Sequence, residues 1–239
     1  MRWKSLVAGI VAACSLTAVH ADNVPVVVFS DSFVTETSTY NPVGNAWGNL
    51  NFNNFSNWNV TRGTVDLVNL NGQSRSLWFS HYSGASPSFS FVDLDGTSVS
   101  SGTITSKNAL NLAPGNYRLS FDATGNLTRK PNSEGLTVRL DGLGISQHYE
   151  LASDQGFETK NIDFTVTTPT STTISFSNES DDPTTLNDNE GAMVANINLT
   201  NLSAGIANVP EPGTMVIGAG LLAGIYLARR FRRQPVTTA

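Results

Sequence analysis

The sequence predicts an all-β fold, an antiparallel β-sandwich of jelly-roll type, on three observations. Apolar and polar residues alternate at period two over many short stretches. Turn-forming residues separate those stretches. No stretch between the two ends carries an apolar period of 3.6 residues. Period-two alternation gives each strand one face for a core and one for water. Many such strands in succession bury their apolar faces by packing sheet on sheet.

The strands can be read off in order. Tyr117, Leu119 and Phe121 alternate with Arg118, Ser120 and Asp122, and Leu136, Val138 and Leu140 with Thr137 and Arg139. Ile162, Phe164 and Val166 repeat the rhythm, as do Ile174 and Phe176, then Met193, Ala195, Ile197 and Leu199. Turns are expected at Ala113-Pro114-Gly115-Asn116, Asp141-Gly142, Thr168-Pro169 and Asn189-Glu190-Gly191, where proline fixes φ and Gly, Asn and Asp accept turn geometry. Residues 41–59 and 178–191 read as loops.

Both ends of the chain differ from this middle. Arg2 and Lys4 precede an apolar stretch from Leu6 to Val19, and Val19-His20-Ala21 offers small residues to signal peptidase. Cleavage after Ala21 is the expectation; Val11-Ala12-Ala13-Cys14 is the competing lipidation site, with a shorter apolar stretch before it. At the other end, Pro210-Glu211-Pro212 leads into the uncharged run from Gly213 to Ala228, then Arg229, Arg230, Arg232 and Arg233. As a helix that run spans roughly 24 Å, slightly short of a ~30 Å hydrocarbon core, a difference that snorkelling or thinning accommodates. The arginine cluster places the C-terminus in the cytoplasm and the rest outside. A core helix of a soluble protein would carry neither those arginines nor four glycines. The expected organisation is therefore a signal peptide at 1–21, a β-sandwich ectodomain at 22–203 and a tether with Pro-Glu-Pro at 204–212. A membrane helix at 213–228 and a basic tail at 229–239 complete it.

Composition bounds the chemistry. Cys14 is the one cysteine, so the ectodomain has no disulfide and no thiolate metal site. Between Asp22 and Val209 eight basic residues stand against eighteen acidic ones, a net of −10. That balance argues against binding nucleic acid or an anionic polysaccharide by charge and leaves neutral sugars and divalent cations. The two histidines after the leader, His81 and His148, lie in no metal-ligand spacing, and there is no Gly-x-Ser-x-Gly elbow or phosphate-cradling glycine loop. The expectation is a protein without catalytic residues; the alternative is a secreted glycan-active enzyme, whose two carboxylates would be a spatial feature that sequence does not reveal.

Two residue groups carry binding chemistry. Trp47, Phe52, Phe55 and Trp58 interleave with Asn45, Asn49, Asn51, Asn53, Asn54 and Asn57. Aromatic faces pack on sugar C–H surfaces while amides bond hydroxyls, so Trp47, Phe52 and Phe55 are candidate saccharide contacts and Trp58 a core residue. Carboxylates form the second group. Asp31, Asp93 and Asp95 are candidate calcium ligands, and Glu179, Asp181, Asp182, Asp188 and Glu190 form an oxygen-rich loop without the ordered spacing of a dedicated calcium cage.

The tail, Val209 to Arg233, resembles the PEP-CTERM sorting signal in order, spacing and composition. That resemblance implies an exosortase as partner, a membrane enzyme that cuts near Pro-Glu-Pro. It also implies export, transient anchoring in the inner membrane and delivery to the cell surface or extracellular polysaccharide matrix. Phe29-Ser30-Asp31-Ser32-Phe33, Asn57 to Leu67, Phe91 to Thr97 and Leu112 to Phe121 resemble PEP-CTERM ectodomains akin to galactose-binding-type jelly rolls and carbohydrate-binding modules. This second resemblance implies weak polysaccharide affinity and a structural calcium near Asp31. The last strand departs from the group's pattern at Ala195, which stands where a carboxylate is expected.

Overall fold

The computed structural model describes residues 24–40, 48–69, 90–97, 101–125, 133–152, 155–179 and 191–203. The leader, the tether, the expected membrane span, the basic tail and Trp47 lie outside them. Among the described residues no helix is long and apolar enough to cross a membrane.

The elements run β1 (Val26–Asp31), α1 (Val34–Tyr40), β2 (Trp58–Arg62), β3 (Asp66–Asn69), β4 (Ser90–Asp93), β5 (Thr103–Ser106) and β6 (Leu110–Leu112). Then follow β7 (Gly115–Thr124), β8 (Ser133–Leu140), the 3₁₀ turn Asp141–Leu143, β9 (Ile145–Ala152) and β10 (Glu158–Val166). β11 (Thr170–Thr172), β12 (Ile174–Glu179) and β13 (Met193–Asn201) close the order. One sheet is ordered β10-β7-β13-β4-β3, with β1 also on β13; the other is β2-β5-β12-β8-β9, and β6 and β11 form a small third ladder. All these pairings are antiparallel.

The predicted alternation appears as burial. On β7, Tyr117, Leu119, Phe121 and Ala123 face inward; on β8, Leu136, Val138 and Leu140; on β12, Ile174 and Phe176. The two large sheets meet through aromatic edges. Phe121 of the first sheet lies 5.1 Å from Phe176 and 5.7 Å from Tyr149 of the second, and Phe29 of β1 lies 5.5 Å from Trp58 of β2. Such edge-to-face pairs add to the area they bury. Trp58 is fully buried and opens β2, as expected.

Two features depart from the sequence reading. β13 does not keep one period along its length. Its pairing with β7 shifts between Ala195 and Asn198, one extra residue that constitutes a bulge. Val194 pairs Ala123 and Leu199 pairs Leu119, all in the core, so before the bulge the core face belongs to Ala192 and Val194, and after it to Ile197 and Leu199. Met193 and Ala195 are buried but outside that central cluster. The insertion exchanges the faces halfway along the strand. The second departure is α1, in a stretch of Val-Thr-Glu-Thr-Ser-Thr-Tyr with no helical apolar period and weak helix formers. Tertiary bonds hold it: Ser56 N–H donates to Glu36 Oε1 (2.6 Å), and the hydroxyls of Thr37 and Ser90 share a hydrogen bond (2.7 Å).

Candidate functional site

Tyr40 ends α1, and the segment from Gly48 to Asn57 crosses in front of it. Backbone bonds pin that segment to β3: Asn49 N to Leu67 O (2.7 Å), Leu67 N to Asn49 O (3.0 Å) and Phe52 N to Val65 O (2.8 Å). Asn51 N donates to Asp66 Oδ1 (2.7 Å). Gly48 makes the close approach possible, since at φ +72° a Cβ there would stand 2.6 Å from Leu67 O. With the backbone fixed, Asn51, Asn53 and Asn54 turn outward.

Between Tyr40 and this segment lies a depression of about 630 Å³, lined by Tyr40, Asn49, Leu50, Asn51, Phe52 and Asn53 among others, none of them charged. Tyr40 is 46% exposed. Its ring leans on Phe52 with centroids 5.2 Å apart, and Asn54 Nδ2 donates to its hydroxyl. An aromatic face braced from behind and ringed by amides suits a neutral, hydroxyl-rich ligand.

The sequence candidates divide here. Phe52 is almost buried, though it lines the depression. Phe55 is 1% exposed and packs edge-on against Phe52 (4.7 Å) and Phe33 (6.0 Å). As a saccharide contact Phe55 is corrected to a core residue, because a ring clasped by two others has no free face. Trp47 lies outside the described residues. Tyr40 was missed, since the helix that presents it leaves no periodic trace.

Asp31 is also placed differently from the expectation. Its Oδ1 accepts from Phe33 N (2.8 Å), and its Oδ2 accepts from Asn57 Nδ2 and Trp58 Nε1, both at 2.9 Å. The carboxylate thus ties β1 to the start of β2. Asp31 pairs Ile197 while Asp93 pairs Met193, four residues along β13, or about 13 Å. Asp93 is fully buried, with Oδ1 accepting from Asp95 N and Gly191 N, both at 3.0 Å. Asp31, its oxygens engaged by three N–H groups, thus lies apart from Asp93 and Asp95, and Ala195 brings no side-chain oxygen. Asp31, Asp93 and Asp95 as a set do not fit calcium. Among the described residues no group of three or more His, Cys, Asp or Glu is arranged to hold a metal. Of the acidic loop, only Glu179 falls within the described residues.

Burial raises the carboxyl pKa of Asp93 well above its usual range, with the charges of Asp66 and Asp95 adding to the effect. It raises that of Asp66 as well, against bonds from Asn51 and Thr97. Displaced carboxyl pKa values often mark catalytic acids, but these groups are 0% and 2% exposed, beyond the reach of a substrate.

A PEP-CTERM protein-sorting motif matches residues 208–233. The chain is an exported protein with a C-terminal sorting tail. Among solved structures it is similar to the CBM22-1 xylan-binding domain of Xyn10C from Paenibacillus barcinonensis (TM-score 0.40, 10% identity, 77% of this chain and 100% of that one). It is similar to a CBM35 from the same organism (0.34, 15%, 60% and 92%). A third similarity is to an exo-β-1,3-galactanase from Phanerochaete chrysosporium (0.33, 16%, 57% of this chain), of which the chain covers 26%. No curated protein matches the sequence.

Proposed function

We propose that this chain is a cell-surface or matrix protein that an exosortase processes at its PEP-CTERM tail. Its β-sandwich serves as a structural or adhesive module holding neutral polysaccharide weakly at the Tyr40 depression. One observation carries the binding reading: an exposed tyrosine ring, braced by Phe52 and surrounded by asparagine amides, in a depression with no charged lining. The acidic surface supports a neutral ligand over an anionic one. The sorting tail supports delivery to exopolysaccharide.

Affinity electrophoresis of the full chain in gels containing neutral polysaccharides tests the module. Retardation without release of reducing sugar is expected; turnover would favour the glycan-active enzyme instead. Mass spectrometry of the protein recovered from culture tests the tail, and loss of everything beyond Pro212 is the expected result.

A further inference from the structure

A second depression, of about 350 Å³, opens at the other end of α1. Asp31, Ser30, Thr35, Asn57, Asn196 and Asn198 line it. Its construction is specific. Asn196 is the bulge residue of β13 and has φ +48°, a left-handed conformation in the middle of a strand. Residues held in such conformations tend to mark functional positions. Asn196 Nδ2 donates to Asp122 Oδ2 (2.8 Å), and Asn198 Nδ2 donates to Asn196 O (3.0 Å). Each amide thus spends one of its two N–H donors, which leaves a second N–H and the carbonyl oxygen for other partners. Ser30 and Thr35 add hydroxyls that donate or accept. This side offers hydrogen bonds to hydroxyls and no aromatic platform.

α1 contributes Tyr40 to the first depression and Val34 and Thr35 to the second. Val34, Thr35, Ser38, Thr39 and Tyr40 are exposed, whereas Glu36 and Thr37 are buried. Val34 and Tyr40 are six residues apart, about 9 Å along a helix. The segment that closes the first depression with Asn53 and Asn54 reaches the second with Asn57.

Resting on the saccharide reading of the Tyr40 site, we infer that the Asn196–Asn198 depression is a second subsite of the same binding face, and that the face takes an internal stretch of a neutral glycan chain across α1. The aromatic end supplies most of the affinity, and the polar end adds contacts that only a longer ligand reaches. A chain-end binder would need one enclosed pocket; two open depressions at opposite ends of α1 suit a continuing chain.

The test is isothermal titration calorimetry on the full chain in mild detergent with gluco-, xylo- and galacto-oligosaccharides of two to six units. Affinity for the preferred series should rise on the order of tenfold from the dimer to the longer oligomers and then level off. Asn196→Gly, which accepts the left-handed backbone, combined with Asn198→Ala should remove that rise and leave dimer binding unchanged. Thr35→Val, an exposed isostere, should reduce the rise partially. A length dependence unaltered by these variants, with Tyr40→Ala still abolishing binding, would overturn the second subsite and leave the first reading intact. Binding of no oligosaccharide, or binding indifferent to Tyr40→Ala, would overturn both.

Discussion

Asp66 and Asp93 stand directly opposite each other on the β3–β4 ladder, and both are buried. Residues so paired have Cβ atoms about 5 Å apart, so two like charges would face each other away from water. The fold answers unequally. Asp66 receives Asn51 N (2.7 Å) and the Thr97 hydroxyl (3.1 Å), one on each oxygen. Asp93 receives both its bonds on Oδ1, and among the described residues its Oδ2 has no partner. Burial, with the charge of Asp66 opposite, thus assigns to Asp93 the more strongly raised carboxyl pKa of the two.

That assignment fixes the sign of a pH dependence. An acid whose pKa is raised by folding binds protons more tightly in the folded state. The stability it contributes is complete below the unfolded value, about 3.9, and is lost as pH rises through the folded value. Asp93→Asn keeps the acceptor for Asp95 N and Gly191 N and cannot ionise. Thermal melts from pH 4 to 8 should show the variant falling off less than the native protein toward pH 8. Parallel curves would show that Asp93 is already ionised in the folded state.

Asp31 provides a test of structural against metal roles. Removing its carboxylate orphans the Trp58 indole N–H and the Asn57 amide at a junction between the two sheets. Asp31→Ala should cost about 2–3 kcal/mol in urea unfolding, and Trp58→Phe a similar amount through the lost bond and the space left beside Phe29 and Phe176. Both losses should be the same in calcium and in chelator. A loss that chelator abolished would return Asp31 to the role of ion ligand.

Much of this architecture was legible in the residues because the alternation is a direct consequence of burial on one face. On β7, β8 and β12 the alternate apolar residues all reach the core, although Thr124, Thr137 and Ser175 are buried as well, and Trp58 opens its strand where the local pattern places it. What escaped depends on single insertions and on contacts between distant segments. The bulge at Asn196 moves the core face of β13 from Met193 and Ala195 to Ala192 and Val194, and polar–apolar alternation carries no mark of it. α1 forms because Glu36 and Thr37 find partners at Ser56 and Ser90, which no local preference announces. Asparagine and aromatic density around 45–58 coincides with the segment that lines the Tyr40 depression, but which ring faces water is decided by packing: Phe55 inward, Tyr40 outward.

Two glycines separate packing from conformation. A Cβ on Gly102 would stand 2.3 Å from Thr64 O and 2.5 Å from Val65 Cγ1. Its neighbours cannot withdraw, because Gly102 N bonds Leu94 O (2.6 Å) and Asn178 N bonds Gly102 O (3.0 Å). Gly102→Ala should destabilise by about 2–3 kcal/mol through overpacking. Gly144 has a left-handed φ of +64° and nothing within 4 Å of a Cβ. Gly144→Asn should therefore cost under about 1 kcal/mol, since asparagine visits that region readily. Denaturant midpoints for the two variants check the contrast, and equal losses would refute it.

The proposed binding face yields the prediction that distinguishes it from the core beneath. Tyr40 and Phe55 both contact Phe52, on different sides: Tyr40 from solvent at 5.2 Å and Phe55 from the interior at 4.7 Å. Tyr40→Ala removes an exposed ring, so its melting temperature should change little while retention on neutral polysaccharide is lost. Phe55→Ala opens a cavity and should cost about 3–5 kcal/mol of stability. Because Phe52 then loses its inner support, retention should weaken only as far as the Tyr40 platform loosens. Tyr40→Phe keeps the face and drops the hydroxyl that accepts from Asn54, so it should retain most of the binding. If Tyr40→Ala instead binds as the native chain does while unfolding earlier, the ring is packing and not platform, and the site must be sought elsewhere on the sandwich.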